Sequence, residues 1–388
     1  EGGTVVVNAP VADAVADPAG LIGPFITGAA DVVVRERADA GEVFAHGSVR
    51  LGTAPVHTVH ALETRIPEQR LTAVTGVSGS GKTTLVLEAL VPALASLAGG
   101  GPLPAPATSL ATDATRRVVV VDASPIGANV RSTVATYSGV MDNLRRAYAA
   151  LPAARQAGLG AGDFSYNTGS LRCPHCDGTG QIVLDVQFLP DVDIVCPDCR
   201  GTRYDPRALE LRRSGRSGHG GGSDGGALAL PELLALTVEQ ALAATGDLPS
   251  VHGRLRMLDD LGLGYLTLGE TTTALSGGEA QRLKLSADLG RDQHGTLFVL
   301  DEPSIGLHPL DVRVLLGVLD RLVGAGATVV VIEHDLDMIA NADWVIDLGP
   351  GGGADGGRIV ATGTPSQIAA EPESATGRHL ARHLARQG

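Results

Sequence analysis

The sequence predicts an α/β fold, in which a mainly parallel sheet is interrupted by an inserted, mainly helical domain carrying a four-cysteine module. Three observations carry this. A glycine-rich loop, Gly76-Val77-Ser78-Gly79-Ser80-Gly81-Lys82-Thr83, joins a short apolar strand to a helical stretch. Two apolar runs, Thr296–Leu300 and the β-branched Ala327–Ile332, alternate with helical patterns, an order that builds parallel sheets. All four cysteines fall between the loop and these runs, within residues 171–204.

Each element follows in order. Leu71–Thr75 is a short apolar strand and Thr83–Leu97 a helix, with the glycine-rich turn between them. Residues 99–115, rich in Gly, Pro, Ala and Thr, predict a loop. Arg117–Asp122 reads as a buried strand, and residues 130–160 as helical with several arginines. The Gly/Ser-rich stretch 214–227 predicts a flexible surface insertion. Helical patterns return from Glu232.

The chain is long enough, at 388 residues, for two or three domains. Its net charge of −13 argues against a uniformly basic nucleic-acid binder, though not against a local basic patch. No apolar run reaches the ~18–20 residues of a membrane span; Leu85–Leu97 is broken by Glu88 and Pro92. With no signal peptide either, the expectation is a soluble, cytoplasmic protein without a membrane partner. Only Lys82 and Lys284 are lysines among the 30 basic residues. A lysine kept inside the glycine-rich loop is pointed, because a compact ammonium fits between phosphate oxygens where a guanidinium is too bulky.

The glycines of 76–81 let backbone N–H groups turn inward toward phosphate oxygens, at the start of a helix whose N-terminus favours anions. Gly76, Ser78, Gly79, Ser80, Gly81, Lys82, Thr83 and Thr84 are therefore candidate ATP-binding residues, with Lys82 on the β/γ-phosphates and the Thr83 hydroxyl on Mg²⁺. The run Thr296–Leu300 delivers Asp301 and Glu302 to a strand's C-terminal end, where ligands bind in parallel sheets. Asp301 suits the Mg²⁺ shell and Glu302 a general base for the attacking water. His334, after Val329–Glu333, is a candidate hydrogen-bonder to the γ-phosphate or the water. Leu275-Ser276-Gly277-Gly278-Glu279-Ala280-Gln281-Arg282 opens another helix. Ser276, Gly277, Gly278 and Glu279 form a second candidate anion site there.

Cys173-Pro-His-Cys176 and Cys196-Pro-Asp-Cys199 are two CxxC turns, each followed by glycine-containing turns. Each turn presents two thiolates, and a pair of them makes a closed tetrahedral Zn²⁺ site. A disulfide pair or redox motif is the alternative, disfavoured by a cytoplasmic setting. His175 is the less favoured ligand. Arg131, Arg145, Arg146, Arg172, Arg200, Arg203, Arg207, Arg212, Arg213 and Arg216 surround this module and are candidates for tracking DNA phosphates.

The order of loop, signature segment, Asp-Glu strand end and late histidine resembles the layout of ABC-type ATPases, which clamp ATP between two such domains. In that family the Ser-Gly-Gly segment covers the γ-phosphate on the opposite domain's loop. Further segments resemble UvrA, the damage-recognition ATPase of bacterial nucleotide excision repair: Asp122–Gly127, Ala135–Met141, Phe164–Asn167, Phe188–Val192 between the cysteine turns, Leu261–Gly269 and Ile332–Gly349. The match is to the family's second nucleotide-binding half. Residues 1–28 resemble the closing stretch of a first half, since Glu1-Gly2-Gly3-Thr4-Val5-Val6 parallels Asp355-Gly356-Gly357-Arg358-Ile359-Val360. With the missing initiator methionine, this predicts a fragment.

The resemblance implies ATP, Mg²⁺ and Zn²⁺ as cofactors. It implies as partners distorted double-stranded DNA, a UvrB-like protein, the chain's own N-terminal half and a homodimer mate. Expected boundaries are a tail and linker at 1–48, the P-loop part of the ATP-binding domain at 49–122, an inserted signature domain at 123–274 and the returning ATP-binding domain at 275–388. Ala123 stands where the family has a glutamine expected to help hold Mg²⁺ and sense the γ-phosphate, which leaves the hydrolysis rate of this site open, though Glu302 and His334 remain. That departure and the 214–227 insertion raise two further readings. One is a paralogue giving resistance to DNA-binding antibiotics; the other is a zinc-stapled DNA-binding module with weak ATP turnover.

Overall fold

The structure is a computed structural model, and it describes residues 5–17, 20–122, 124–127, 129–184, 192–214, 226–289 and 292–385. Ala123, Phe188–Asp191, Arg216 and most of the 214–227 stretch therefore lie outside the described residues. The chain forms two compact units, Glu1–Ala123 with Gly290–Gly388, and Ser124–Leu289.

The first unit is built on a six-stranded sheet. Its spatial order is Arg358–Gly363, Trp344–Gly349, Leu71–Gly76, Thr328–Ile332, Thr296–Asp301 and Arg117–Val121. All neighbouring pairs run parallel except the first, which is antiparallel. The central strands Leu71–Gly76 and Thr328–Ile332 are buried at every position, which is why they read as unbroken apolar runs. Arg117–Val121 was expected to be buried as well. It is instead the edge strand, with Val120 40 % exposed, because among the described residues only Thr296–Asp301 pairs with it. A run of valines signals a strand, but not its place in the sheet.

The helix after the loop lays Leu85, Val86, Ala89, Leu90, Ala93 and Leu94 against this sheet, joining Val74, Leu297, Val299, Val330, Ile332 and Ile346 in one core. It is π-helical over Thr84–Leu90 and α-helical over Val91–Ala98. Pro92 has no N–H to complete an α-helical ladder, and the wider turns precede it.

Ala107–Thr112 corrects the loop expected over 99–115. It is a strand, paired antiparallel to Ser48–Thr53, which also pairs with Leu62–Pro67. Its composition is too polar to announce a strand. The pairing makes it one, and Gly52 leaves room for the Ser109 side chain lying over it. N-terminal residues are tied to this unit by specific polar contacts: Asn341 accepts from the Val34 N–H at 2.8 Å and donates to the Val32 carbonyl at 2.8 Å, and Arg35 pairs with Asp320 and Asp343.

The second unit is mainly helical, as expected. Its principal helices are Val140–Ala149, Pro249–Asp260 and Gly277–Ser286, with shorter ones between. Tyr148, Phe164, Leu255, Leu258 and Leu283 are fully buried within it. The helix Gly277–Ser286, expected with the ATP-binding domain from residue 275, belongs to this unit by its contacts. It packs on Pro249–Asp260, and Lys284 donates to the backbone and hydroxyl of Ser124, both at 2.9 Å. Among the described residues, no helix is long and apolar enough to cross a membrane.

Candidate nucleotide site and four-cysteine centre

Three parallel strands of the first unit end side by side, and each delivers a candidate residue at its carboxyl end. Leu71–Gly76 runs into the glycine-rich loop, Thr296–Asp301 ends at Asp301-Glu302, and Thr328–Ile332 is followed by Glu333-His334. In the loop, Gly76, Gly79 and Gly81 adopt φ values of 139°, 76° and 95°, a region that side chains rarely enter. Gly76 also has no space: a Cβ there would lie 2.1 Å from the Leu348 carbonyl oxygen. Gly76→Ala is therefore expected to cost about 2–4 kcal/mol, through backbone strain and overpacking. Chemical denaturation of the variant measures this, and an unchanged midpoint would contradict the geometry.

Lys82 is 5 % exposed and donates to the carbonyls of Gly76 and Val77, both at 3.0 Å. Burial pushes its ammonium below the ordinary value, against the pull of Glu302, Asp301 and Asp347. Asp301 is shifted up, first by burial, then by Glu302 and Asp122, with Lys82 opposing. Carboxylates thus outnumber the lysine, an imbalance that a divalent cation relieves. Glu302 lies in a left-handed conformation, φ 45°, and its backbone N–H donates to the Ile332 carbonyl at 2.9 Å. His334 Nε2 sits 3.2 Å from Glu302 Oε1, with both side chains part-exposed. Thr83 is exposed beside Lys82, whereas the Thr84 hydroxyl is turned to Glu88 at 3.1 Å.

Asp347 and Asp122 were not singled out by the sequence as charges at this site. Asp347 is buried in register with Thr75 and accepts from Ser374 at 2.6 Å and Thr376 at 2.9 Å. The available signal was an acidic residue inside the otherwise apolar strand Trp344–Gly349.

In the second unit, Ser276 caps the helix Gly277–Ser286, and Ser276 and Gly277 are exposed. Glu279, expected among the nucleotide contacts, is otherwise engaged here. Its carboxylate accepts from the Ser276 N–H at 2.7 Å and the Tyr265 hydroxyl at 2.5 Å, closing a capping box. Burial raises its pKa, but these bonds outweigh burial and leave it below the ordinary value.

The four cysteines converge in the same unit. All are buried and unbridged, and their Sγ atoms lie within 4.8 Å of one another, with Cys173–Cys196 at 3.9 Å and Cys176–Cys199 at 3.6 Å. A tetrahedron of Zn–S bonds near 2.3 Å has sulfur separations of about 3.8 Å, so the donor set fits zinc. Asp177-Gly178 and Arg200-Gly201 repeat one turn, each residue with positive φ. The antiparallel strands Gln181–Leu184 and Val192–Val195 lie between the two cysteine turns in the chain. His175 is not part of the sulfur cluster and pairs with Asp198, Nδ1 to Oδ2 at 2.8 Å.

The arginine set contracts. Arg203 and Arg213 are buried: Arg203 stacks on Tyr166, and Arg213 holds Asp247 at 2.8 and 2.7 Å. Arg131 and Arg172 pair with Asp177, Arg207 with Asp205 and Arg212 with Glu232. Arg145 is part-buried and pairs with Asp142, and Arg146 and Arg200 remain at the surface, while Arg216 is outside the described residues.

No family model matches the chain. Individual proteins do. It is 43 % identical over 385 residues to UvrABC system protein A of Thermus thermophilus, covering 98 % of this chain and 39 % of that protein. It is 42 % identical over 388 residues to the Micrococcus luteus protein of that name, covering 99 % and 38 %. The crystal structure of UvrA2 from Deinococcus radiodurans matches with a TM-score of 0.86 at 40 % identity, over 98 % of this chain and 44 % of that one. The chain thus spans about two fifths of the length of the curated relatives it matches. Agreement of this depth, in sequence and in backbone and along nearly every residue, makes the chain a UvrA-like segment of the ABC ATPase class.

Proposed function

We propose that this chain forms the nucleotide-binding and DNA-contacting part of an ATP-dependent damage-recognition subunit in bacterial nucleotide excision repair. The observation that supports it most is the gathering of Lys82, Asp301, Glu302 and His334 at adjoining strand ends, in a chain 43 % identical to UvrABC system protein A.

In this reading the N–H groups of 76–81 and the Lys82 ammonium hold the phosphates of ATP. The Thr83 hydroxyl and Asp301 would hold magnesium. The bound metal would neutralise charge on the β- and γ-phosphates. Glu302 orients the attacking water and takes its proton, and His334, 3.2 Å from Glu302, steadies it. Ser276, Gly277 and Gly278 present N–H groups to the γ-phosphate held by a facing domain. The four cysteines would hold a zinc ion with four thiolates, and its role there would be structural. The second unit contacts duplex DNA by shape and backbone rather than by reading bases. ATP turnover gates that contact and the hand-over to a UvrB-like partner.

The test is a binding assay on lesion-bearing, drug-loaded and plain duplex, with and without Mg-ATP. The expected result is ATP-dependent preference for lesion-bearing DNA. Preference for the drug-loaded duplex moves the function to drug removal, and equal affinity for all three overturns both. Affinity should also fall as salt rises, with a log–log slope of about −0.9 per phosphate contacted. Because several surface arginines already pair with carboxylates, only a few contacts are expected, and a slope near zero would contradict phosphate tracking altogether.

A further inference from the structure

Glu333 has no role in the scheme above, yet its environment is unusual. Its residue is 1 % exposed. Its carboxylate accepts four hydrogen bonds. The Ser304 N–H reaches Oε1 at 2.9 Å; the Ser304 hydroxyl, the His334 N–H and the Asp335 N–H reach Oε2 at 2.8, 2.9 and 3.1 Å. Among the described residues, no cation pairs with it. Burial pushes its pKa up, and these donors pull the other way. A buried carboxylate held only by N–H and O–H donors has its charge balanced by their positions, so the donors are fixed in turn.

The donors come from two segments. Ser304 follows Glu302 by two residues, and His334 follows Glu333 directly. Two backbone bonds complete the junction: the Glu302 N–H donates to the Ile332 carbonyl at 2.9 Å, and the Glu333 N–H to the Val74 carbonyl at 3.0 Å. Three strand ends are therefore tied at one point, beneath the pair formed by Glu302 and His334 at 3.2 Å.

We propose that Glu333 is a positioning residue: its carboxylate locks the turn after Glu302 to the turn bearing His334, and so sets the Glu302–His334 pair for ATP hydrolysis. The proposal rests on the ATPase reading and deepens it. Any shift of the 303–308 segment reaches His334 through Glu333, because one oxygen, Oε2, accepts from both sides of the junction.

Glu333→Gln tests this. The glutamine keeps the shape but turns one acceptor oxygen into an N–H donor that faces other donors. Placed with its oxygen at the Oε2 position the glutamine loses the Ser304 N–H bond, and placed the other way it loses the three donors at Oε2, so the tie between the two turns is weakened either way. In the 388-residue chain, kcat for ATP should fall by about 10- to 100-fold, the scale of a small misplacement of catalytic groups, while the Kd for Mg-ATP stays within about threefold. Glu302→Gln combined with Glu333→Gln should be no slower than Glu302→Gln alone, since both act on one step. Ser304→Ala removes only the 2.8 Å hydroxyl bond, and should lower kcat in the same direction by a smaller factor. It decides the question if Glu333→Gln fails to fold. The proposal is overturned by a folded Glu333→Gln, or a Ser304→Ala, with unchanged kcat. It is also overturned if affinity falls in parallel with kcat, or if the two glutamine substitutions add. A wild-type chain that neither binds nor hydrolyses ATP removes the ATPase reading itself, and this proposal with it.

Discussion

Glu302→Gln should reduce ATP turnover by about 10²–10⁴-fold while Mg-ATP remains bound, the range expected when a general base is removed. The substitution keeps side-chain volume and still offers an oxygen to water, so nucleotide affinity has little reason to fall. What is lost is the proton acceptor and the anion beside His334, whose Nε2 lies 3.2 Å away. Glu302 also adopts φ 45°, so the backbone is strained at this position and tethered through Ile332. Strain of this kind, about 1–3 kcal/mol, persists only where surrounding structure enforces it, and it is enriched at catalytic sites. Gln tolerates the same φ as Glu, so folding should be unaffected. Steady-state kinetics and retention of nucleotide after gel filtration check this. Undiminished kcat would assign the base elsewhere, with His334 the next candidate.

Removal of zinc should unfold the cysteine module, because the apparent free energy of binding structural zinc, about 10–16 kcal/mol at neutral pH, becomes folding energy for the loops that carry its ligands. Without metal, burial pushes the thiols of Cys173 and Cys199 up, Cys199 to about 12. Burial raises Cys176 too, but the Gly180 N–H and neighbouring thiols bring it down to about 7. A cluster this close cannot ionise fully by itself, yet zinc needs the thiolates. Protons and metal therefore compete. Zinc is held at neutral pH and is lost as the pH falls and the thiolates are protonated. A chelator at pH 7, or Cys176→Ser, should produce the same loss. Hydrogen exchange across residues 171–204 and metal analysis read it out. Full protection after the metal is gone, or negligible zinc in gently purified protein, would end the zinc assignment.

Much of the candidate nucleotide site was legible because its chemistry is written in residue types with few substitutes. Gly76 needs φ 139° and the absence of a Cβ, so it must be glycine, and the sequence shows it. The cysteine turns were legible for the same reason: paired thiolates on tight turns have a fixed spacing. Central strands such as Thr328–Ile332 announced themselves because both faces are buried. Asp347 and Glu333 were not legible as parts of this site. An acidic residue in or beside an apolar strand carries no sign of what faces it, and only the fold brings Ser374 and Thr376 to one and Ser304 to the other.

The sequence by itself determined the chemistry that is local: the anion-turning loop, the carboxylates at a strand end, the capped Ser-Gly-Gly helix and the thiolate turns. Each depends on neighbours within a few residues along the chain, where spacing and φ preference dictate geometry. The tertiary structure alone decided what depends on distant partners. It made Arg117–Val121 an edge and Ala107–Thr112 a strand, assigned Gly277–Ser286 to the helical unit, buried Arg203 and Arg213, and joined Ser304 to His334 through Glu333. The physical reason is that pairing, burial and charge balance are properties of neighbours in space, and chain order does not specify those neighbours.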